Sequence, residues 1–364
     1  MKKLIRILLK WIMLPLLVLI TGLFIWGYFS TYHPKDVQEE TISCSESTPT
    51  LKAGQKVKIL SWNVQYMASK DYVFFYDLID NSGPDKKPSK KAIAKTINEV
   101  ARIIQQEDPD IILLQEVDEG AKRTNKEDQL KRLLGLISKD YGCHCSSFYW
   151  KASFVPDPNV MGSVGMKLST ISKYKIKEGT RHQLPLIENM NALVKQFYLK
   201  RAILETTFPV EGSRDLIVMN THLSAFAQGS NTMEQQVAML DKMLKARTKQ
   251  GLSWVIGGDF NLLPPGEAYK ELTDYQKQYY KPETEIASFF KDYQAVPSAA
   301  QTTGSRRAEW FTHFPNDPKV KQPDRTIDYI FFSKNVELLN KSIGQKDTWD
   351  ISDHLPLMVN FVVK

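Results

Sequence analysis

Trp254-Val255-Ile256-Gly257-Gly258-Asp259-Phe260-Asn261 is the stretch from which the rest of the chain can be read. Three apolar residues read as the end of a buried strand. Two glycines then free the backbone for a tight exit. A carboxylate follows at once, and a carboxamide two residues on. Along a strand, residues i and i+2 share a face. Extended geometry would therefore project Asp259 and Asn261 together from the strand's end and turn Phe260 into the core. A carboxylate holds a water, a metal or a proton, and a carboxamide donates to an anionic oxygen. The spacing predicts a polar rim at the end of a buried sheet.

Other segments offer groups to the same rim. Val57-Lys58-Ile59-Leu60-Ser61-Trp62-Asn63 alternates and reads as a strand ending in Asn63. Asp110-Ile111-Ile112-Leu113-Leu114-Gln115-Glu116 reads as a buried strand ending in Glu116. An ionised Glu there is costly unless it is paired or bound to a metal. Leu216-Ile217-Val218-Met219-Asn220-Thr221-His222 ends in Asn220 and His222, which share a parity. Thr326-Ile327-Asp328-Tyr329-Ile330-Phe331-Phe332 is a strand carrying an acid, and Ser352-Asp353-His354-Leu355-Pro356 enters a final strand. Each alone has a plain structural reading, since Asn forms turns and a strand-end His commonly packs. Between them, Ser89 opens a helical pattern through Ile93, Ile97, Val100 and Ile104 that Pro109 ends. Residues 128–138 and 231–249 read as further helices, and residues 146–150, 162–171 and 200–207 as strands. Residues 264–306 are Pro-, Tyr- and Lys-rich and read as loops with a short helix. No internal repeat is evident.

With 364 residues, 42% of them hydrophobic, the chain can build one large α/β core. Its net charge of +7 is uneven. Lys2, Lys3, Arg6 and Lys10 precede residue 30 with no acid among them, leaving 44 basic residues against 41 acidic. The body is nearly balanced, so the charge does not argue for nucleic-acid binding. Residues 11–29 carry no charge and at ~1.5 Å per residue span the hydrocarbon of a bilayer. The length of this run, and the lack of an A-x-A-like site after it, favour an uncleaved signal anchor over a cleaved signal peptide. The basic tip then stays in the cytoplasm and the body lies outside, at a bacterial inner or plasma membrane. Residues 31–54 have the composition of a polar tether, so the expected organisation is 1–30 anchor, 31–54 linker and 55–364 catalytic domain. Cys44 falls in the linker. Cys143 and Cys145 flank His144, and ordinary packing or free thiols is the expected state of that pair.

In this order the motifs Ser61-Trp62-Asn63, Leu114-Gln115-Glu116, Asn220-Thr221-His222-Leu223, Gly258-Asp259-Phe260-Asn261, Ile327-Asp328-Tyr329 and Ser352-Asp353-His354-Leu355-Pro356 resemble the endonuclease/exonuclease/phosphatase superfamily. This is the group of DNase I, abasic-site endonucleases, inositol-polyphosphate 5-phosphatases and neutral sphingomyelinases. The resemblance implies an α/β (α+β) fold, a four-layer α/β/β/α sandwich with the site at one rim. It implies Mg²⁺, or Mn²⁺ in its place, with Glu116 as the main ligand and Asn63 and Asp353 close by. It implies a His354–Asp328 pair and Asp259 as rival groups for activating water. Asn220 and Asn261 are expected to hold phosphate oxygens, and His222 to act on the leaving-group side.

The implied activity is that of a membrane-anchored phosphoester hydrolase. Two substrate classes compete: a lipid headgroup, or DNA or RNA. A nuclease is expected to show a basic groove, for which Lys151, Lys200, Arg201, Arg306, Arg307 and Arg325 are available. A non-catalytic binding module would have let the polar set decay, and it is intact. The loop after Asn63 holds Tyr72, Phe74 and Phe75 before a lysine-rich tract. It suits either substrate or bilayer contact or packing under a long loop. Substrate-contact candidates are therefore Lys151, Arg201, Phe74 and Phe75. The sequence points to no protein partner.

Overall fold

A run such as Ile111-Ile112-Leu113-Leu114 has no polar face, so a strand built from it needs cover on both sides. The computed structural model, which describes residues 2–363 except 75, 76, 79–81, 85, 86, 226 and 228, provides that cover in four layers. The first eight strands are β1 (Val37–Glu39), β2 (Ile42–Cys44), β3 (Leu51–Lys52), β4 (Lys56–Asn63), β5 (Ile111–Asp118), β6 (Cys143–Val155), β7 (Gly162–Ser172) and β8 (Glu178–Gln183). The others are β9 (Ala202–Phe208), β10 (Val210–Glu211), β11 (Leu216–His222), β12 (Ser253–Asp259), β13 (Gln294–Val296), β14 (Asp328–Phe332), β15 (Glu337–Ile343) and β16 (Leu357–Val362). One seven-stranded sheet runs β15-β16-β4-β5-β7-β6-β2 and the other β1-β8-β9-β11-β12-β14-β13. Both are antiparallel except at one central pair, β4 with β5 and β11 with β12.

Strand parity sorts the core. Ile59, Ile111 and Leu113 face Val255 and Ile330 between the sheets. Leu60, Trp62, Ile112 and Leu114 point out, under the apolar stripe of an outer helix. Trp254, Ile256 and Met219 point out on the far side under another, which presents Val237, Leu240 and Leu244. Those helices are two of five to be named: α1 (Lys2–Ser30), α2 (Lys90–Glu107), α3 (Gln129–Leu134), α4 (Ala192–Phe197) and α5 (Thr232–Lys249). Ser89 caps α2 by accepting from Ala92 N, as its position predicts. Asp128 caps α3, which stops at Gly135 instead of reaching residue 138, because glycine is a poor helix former. Three short helices (Asp274–Lys277, Ala287–Asp292, Ala299–Thr303) and β13 occupy the stretch expected to be loops with a short helix.

Residues 31–54 differ from the tether that their composition suggests. They supply β1 and β2 to the sheet edges, and β3 pairs with β10. Two or three residues of strand are too short for period-two alternation to register. The cysteines also differ from expectation. Cys44 and Cys143 form a disulfide across the β2–β6 pairing, while Cys145 stays a buried thiol. The partners stand 99 residues apart in sequence, and only the strand pairing brings them together. Within α1, residues 10–30 have a mean hydropathy of 2.2 and suffice in length to cross a membrane.

Candidate active site

The topology explains why distant polar residues meet. β4 and β5 are parallel, so Asn63 and Glu116 leave their sheet at the same edge. His222 and Asp259 sit opposite one another at the ends of the parallel pair β11 and β12. β14 and β16 run against their neighbours, so it is their beginnings that reach this rim. Asp328 opens β14 opposite Asp259, and Asp353 and His354 immediately precede β16.

Local backbone then aims the side chains. Gly258 lies at φ +151°, and a Cβ there would fall 1.9 Å from the Thr221 carbonyl oxygen. Only glycine allows so close an approach. The strand stops at Asp259, and Asn261 takes φ 52°. Extended geometry therefore does not carry Asp259 and Asn261 out side by side. The Asn261 amide donates to Asp259 Oδ1 at 2.9 Å and its Nδ2 to the Leu223 carbonyl at 3.2 Å. Phe260 is buried, as its parity predicts. Glu116 sits at φ 59° where the β5–β7 register shifts between Leu114 and Val117. A bulge of this kind re-aims one side chain beside a site, at a conformational cost of ~1 kcal/mol for a residue with a Cβ.

Asp259 is the hub. Its Oδ2 accepts from Asn63 Nδ2 at 3.1 Å and lies 3.2 Å from His222 Nε2 and 3.5 Å from His354 Nε2. Burial alone would raise this carboxyl, but His354, His222 and Asn63 hold it well below the usual carboxylate range. The His354 Nδ1 stands 2.8 Å from Asp328 Oδ2. Against the burial that would lower it, Asp328, Asp259 and Asp353 hold the His354 imidazole well above its ordinary value. His222 is the opposite case: burial, reinforced by the Arg201 charge, lowers it. Its Nδ1 lies 3.3 Å from the Tyr149 hydroxyl and 3.9 Å from Glu116 Oε1. One rim thus favours a charged imidazole at His354 and a neutral one at His222 on either side of an ionised carboxylate.

The rim opens into a cleft of about 820 Å³, lined by Glu116, His222, Asp259, Asn261, Asp353 and His354 among others. Arg201 lines it too, although it is 8% exposed, and its Nη1 is buried without a hydrogen-bond partner. Asn220 is not at the cleft, contrary to its expected role. Its amide donates to the carbonyls of Leu114 and Ser169 and its Oδ1 accepts from Gln115 Nε2, so it ties the two sheets together. Lys151 is exposed, away from the cleft, its Nζ 4.2 Å from the Phe148 ring centroid. Phe74 is buried and lines the cleft, packed in the inter-sheet core. Phe75 lies outside the described residues. The basic groove does not assemble. Arg306 pairs with Glu309, Arg307 with Glu271 and Arg325 with Asp324, while Lys200 Nζ donates to backbone carbonyls.

The loops contribute residues that carried no signal in the sequence. His313 packs against His354 at an interplanar angle of 52° with ring centroids 4.6 Å apart, and its Nδ1 is buried without a partner. Gln65, in a left-handed turn after Asn63, accepts from the Asp353 amide. Asp77 lines the cleft and accepts from Phe74 N and Asn316 Nδ2. Neither period nor strand-end position marks such residues; only the converging loops do.

The side chains present fit a hard divalent cation. Burial first, then the charge of Asp353, pushes Asp77 up to about 7, with Glu116 adding to it. Burial likewise raises Asp353, opposed by His354 and Lys70 and reinforced by Asp259. Carboxylates that repel one another across one rim carry an excess of negative charge that such a cation offsets. Their donors are oxygens, as these ions prefer. Ligand atoms of His313, Asp353 and His354 also lie within 4.8 Å of one another, as do those of Asp259, Asp328 and His354. The second group is already joined by its own hydrogen bond.

Comparison with known proteins identifies the family and the fold. The sequence model of the endonuclease/exonuclease/phosphatase family matches residues 60–354. No curated protein matches the chain by sequence. Among solved structures, an endonuclease/exonuclease/phosphatase from Beutenbergia cavernae superposes with a TM-score of 0.58 at 20% identity, covering 85% of this chain and 72% of that one. A family protein from Leptotrichia buccalis gives 0.53 at 16% identity, over 84% and 99% of the two chains. The catalytic domain of human nocturnin, solved with a bound sulfate anion, gives 0.51 at 15% identity over 89% and 97%. At these identities the likeness is one of fold.

Proposed function

The chain belongs to the endonuclease/exonuclease/phosphatase family and is by that membership a metal-dependent phosphoester hydrolase; from that premise we propose that it is a membrane-anchored phosphodiesterase acting on a lipid headgroup outside the cytoplasm. The observation that carries the substrate class is the charge of the cleft. Its lining holds Arg201, Lys281 and Arg325 against seven carboxylic acids. A polyanion such as DNA or RNA is bound by neutralising many phosphates, and this cleft is built against that. A single phosphodiester needs one well-placed cation, and the unpartnered Nη1 of Arg201 supports that use.

Mg²⁺, or Mn²⁺ in its place, would be held by Glu116 with Asn63 and Asp353 beside it, and would supply charge stabilisation for the phosphate oxygens. The chain's own residues do the rest. Arg201 and Asn261 hold nonbridging oxygens. A water oxygen bonds to phosphorus while its proton passes to the ionised Asp259 carboxylate, which later returns it to solvent and whose Oδ2 stands 3.5 Å from Nε2 of the proton-bearing His354. Asp328 fixes the imidazole through Nδ1. The phosphorus–oxygen ester bond breaks; the neutral His222 donates a hydrogen bond to the departing oxygen, which takes its proton from solvent.

The test is hydrolysis of bis-p-nitrophenyl phosphate by the full chain in nonionic detergent with Mg²⁺. Glu116→Ala and His354→Ala are each expected to lose on the order of 10³-fold in kcat/KM. Arg201→Ala is expected to raise KM more than it lowers kcat. Equal activity in the parent and all three variants would sink the assignment.

A further inference from the structure

The cleft has a second wall that the chemistry above does not use. Away from Arg201 and His222 its lining becomes apolar: Trp150, Val155, Val160, Phe197, Leu193 and Val194. The last two are on α4, a helix with no buried residue, and each is 54% exposed. Being continuous with the apolar lining behind it, this pair extends an apolar surface to the lip of the cleft.

The position of the anchor accounts for it. α1 ends at Ser30, and the chain passes directly onto the same two elements that build this wall. Thr31 bridges to Ala152 on β6, and the Tyr32 amide donates to the Lys151 carbonyl at 3.1 Å. The Trp26 ring lies 5.9 Å from that of Phe154. From α4, Gln196 Nε2 donates to Thr31 Oγ1 at 3.4 Å, and Phe197 packs beside Gly27. The apolar wall therefore starts beside the C-terminal end of α1, whose length and hydropathy suffice to cross a membrane, and runs inward to the catalytic rim.

We propose that this wall seats an acyl chain of a membrane lipid, drawn from the bilayer beside the anchor, while the lipid's phosphodiester reaches Arg201 and the rim. The inference rests on the lipid-headgroup reading above and adds to it where the lipid enters and what discriminates it. A chain lying on the wall passes from Leu193 and Val194 at the lip to Trp150 at the depth of the cleft. Burying it removes water from both surfaces, which is worth about fourfold in affinity per methylene. A headgroup ester without a chain forgoes that gain. A nucleic acid would leave the wall wet and meet the cleft's excess of acids.

The test uses the full chain in nonionic detergent micelles with Mg²⁺. Phosphatidylcholine, phosphatidylglycerol, phosphatidylinositol and sphingomyelin are each compared with a chain-free phosphodiester of the same headgroup, with plasmid DNA and RNA as separate arms. At least one long-chain lipid is expected to be preferred tenfold or more in kcat/KM over its chain-free counterpart. Leu193→Glu with Val194→Glu is expected to cut that preference at least fivefold, while Leu193→Met with Val194→Ile retains it. Both sites are exposed, and matching thermal unfolding of the two variants checks that they fold alike. A lipid hydrolysed with no preference for the chain, or with a preference that the Glu pair leaves intact, overturns the seat and spares the lipid reading. Cleavage of DNA or RNA with all four lipids inert overturns both.

Discussion

Asp77 shows what a single buried carboxyl does at this rim. Burial and the charges of Asp353 and Glu116 raise it to about 7. An acid whose folded pKa lies above its ordinary value binds a proton more tightly in the folded state. Stability is then lost as pH rises from the ordinary carboxylate range through about 7. In EDTA, Asp77→Asn should therefore match the parent near pH 4 and gain on it up to pH 8, by on the order of 2 kcal/mol once partial solvent access is allowed for. Urea unfolding across that range measures the gain, and a pH-independent difference would refute this cause. Mg²⁺ should shrink the gain by offsetting the same repulsion. Asp77 and His313 were not legible in the sequence, because they sit in irregular loops where neither period nor position distinguishes them. Asp259 and Glu116 were legible for the converse reason: each follows an apolar run that leaves a charge nowhere to go but a functional rim, and His354 stands just before such a run. Asn220 looked the same by that criterion, yet it is spent between the sheets, since parity gives a side chain's face without saying what covers it.

At the scale of elements, strands buried on both faces read clearly as apolar runs, and α2 and α5 as stripes. The edge strands β1 to β3 did not, and the cystine that secures them went with them. Closing a chain segment of 99 residues by a disulfide contributes about 2–4 kcal/mol. Cys44→Ser should lower stability by that amount and make it insensitive to reductant, whereas the parent falls to the same level on reduction. Chemical denaturation with and without reductant decides this. Burial pushes the Cys145 thiol up to about 12, so it stays protonated and is a poor nucleophile for re-pairing with Cys143.

At the scale of the whole molecule, the anchor, the disulfide and the cleft constrain one another. Disulfides persist in oxidising compartments, which agrees with the orientation proposed above, with the domain outside the cytoplasm and the four basic residues inside. The orientation and the cystine are then linked. Replacing Lys2, Lys3, Arg6 and Lys10 with Gln removes the charge bias and should leave a fraction of chains with the domain in the cytoplasm. In that fraction the domain is protected from protease added to spheroplasts, and Cys44 and Cys143 are reduced. Protease protection should rise from near zero in the parent, together with a thiol-alkylation gel shift beyond the one that the free Cys145 gives. A chain whose thiols are alkylated to the same extent whichever side it faces would break the link between compartment and cystine. A parent already protected from protease would reverse the proposed orientation, and with it the membrane face proposed to supply the lipid.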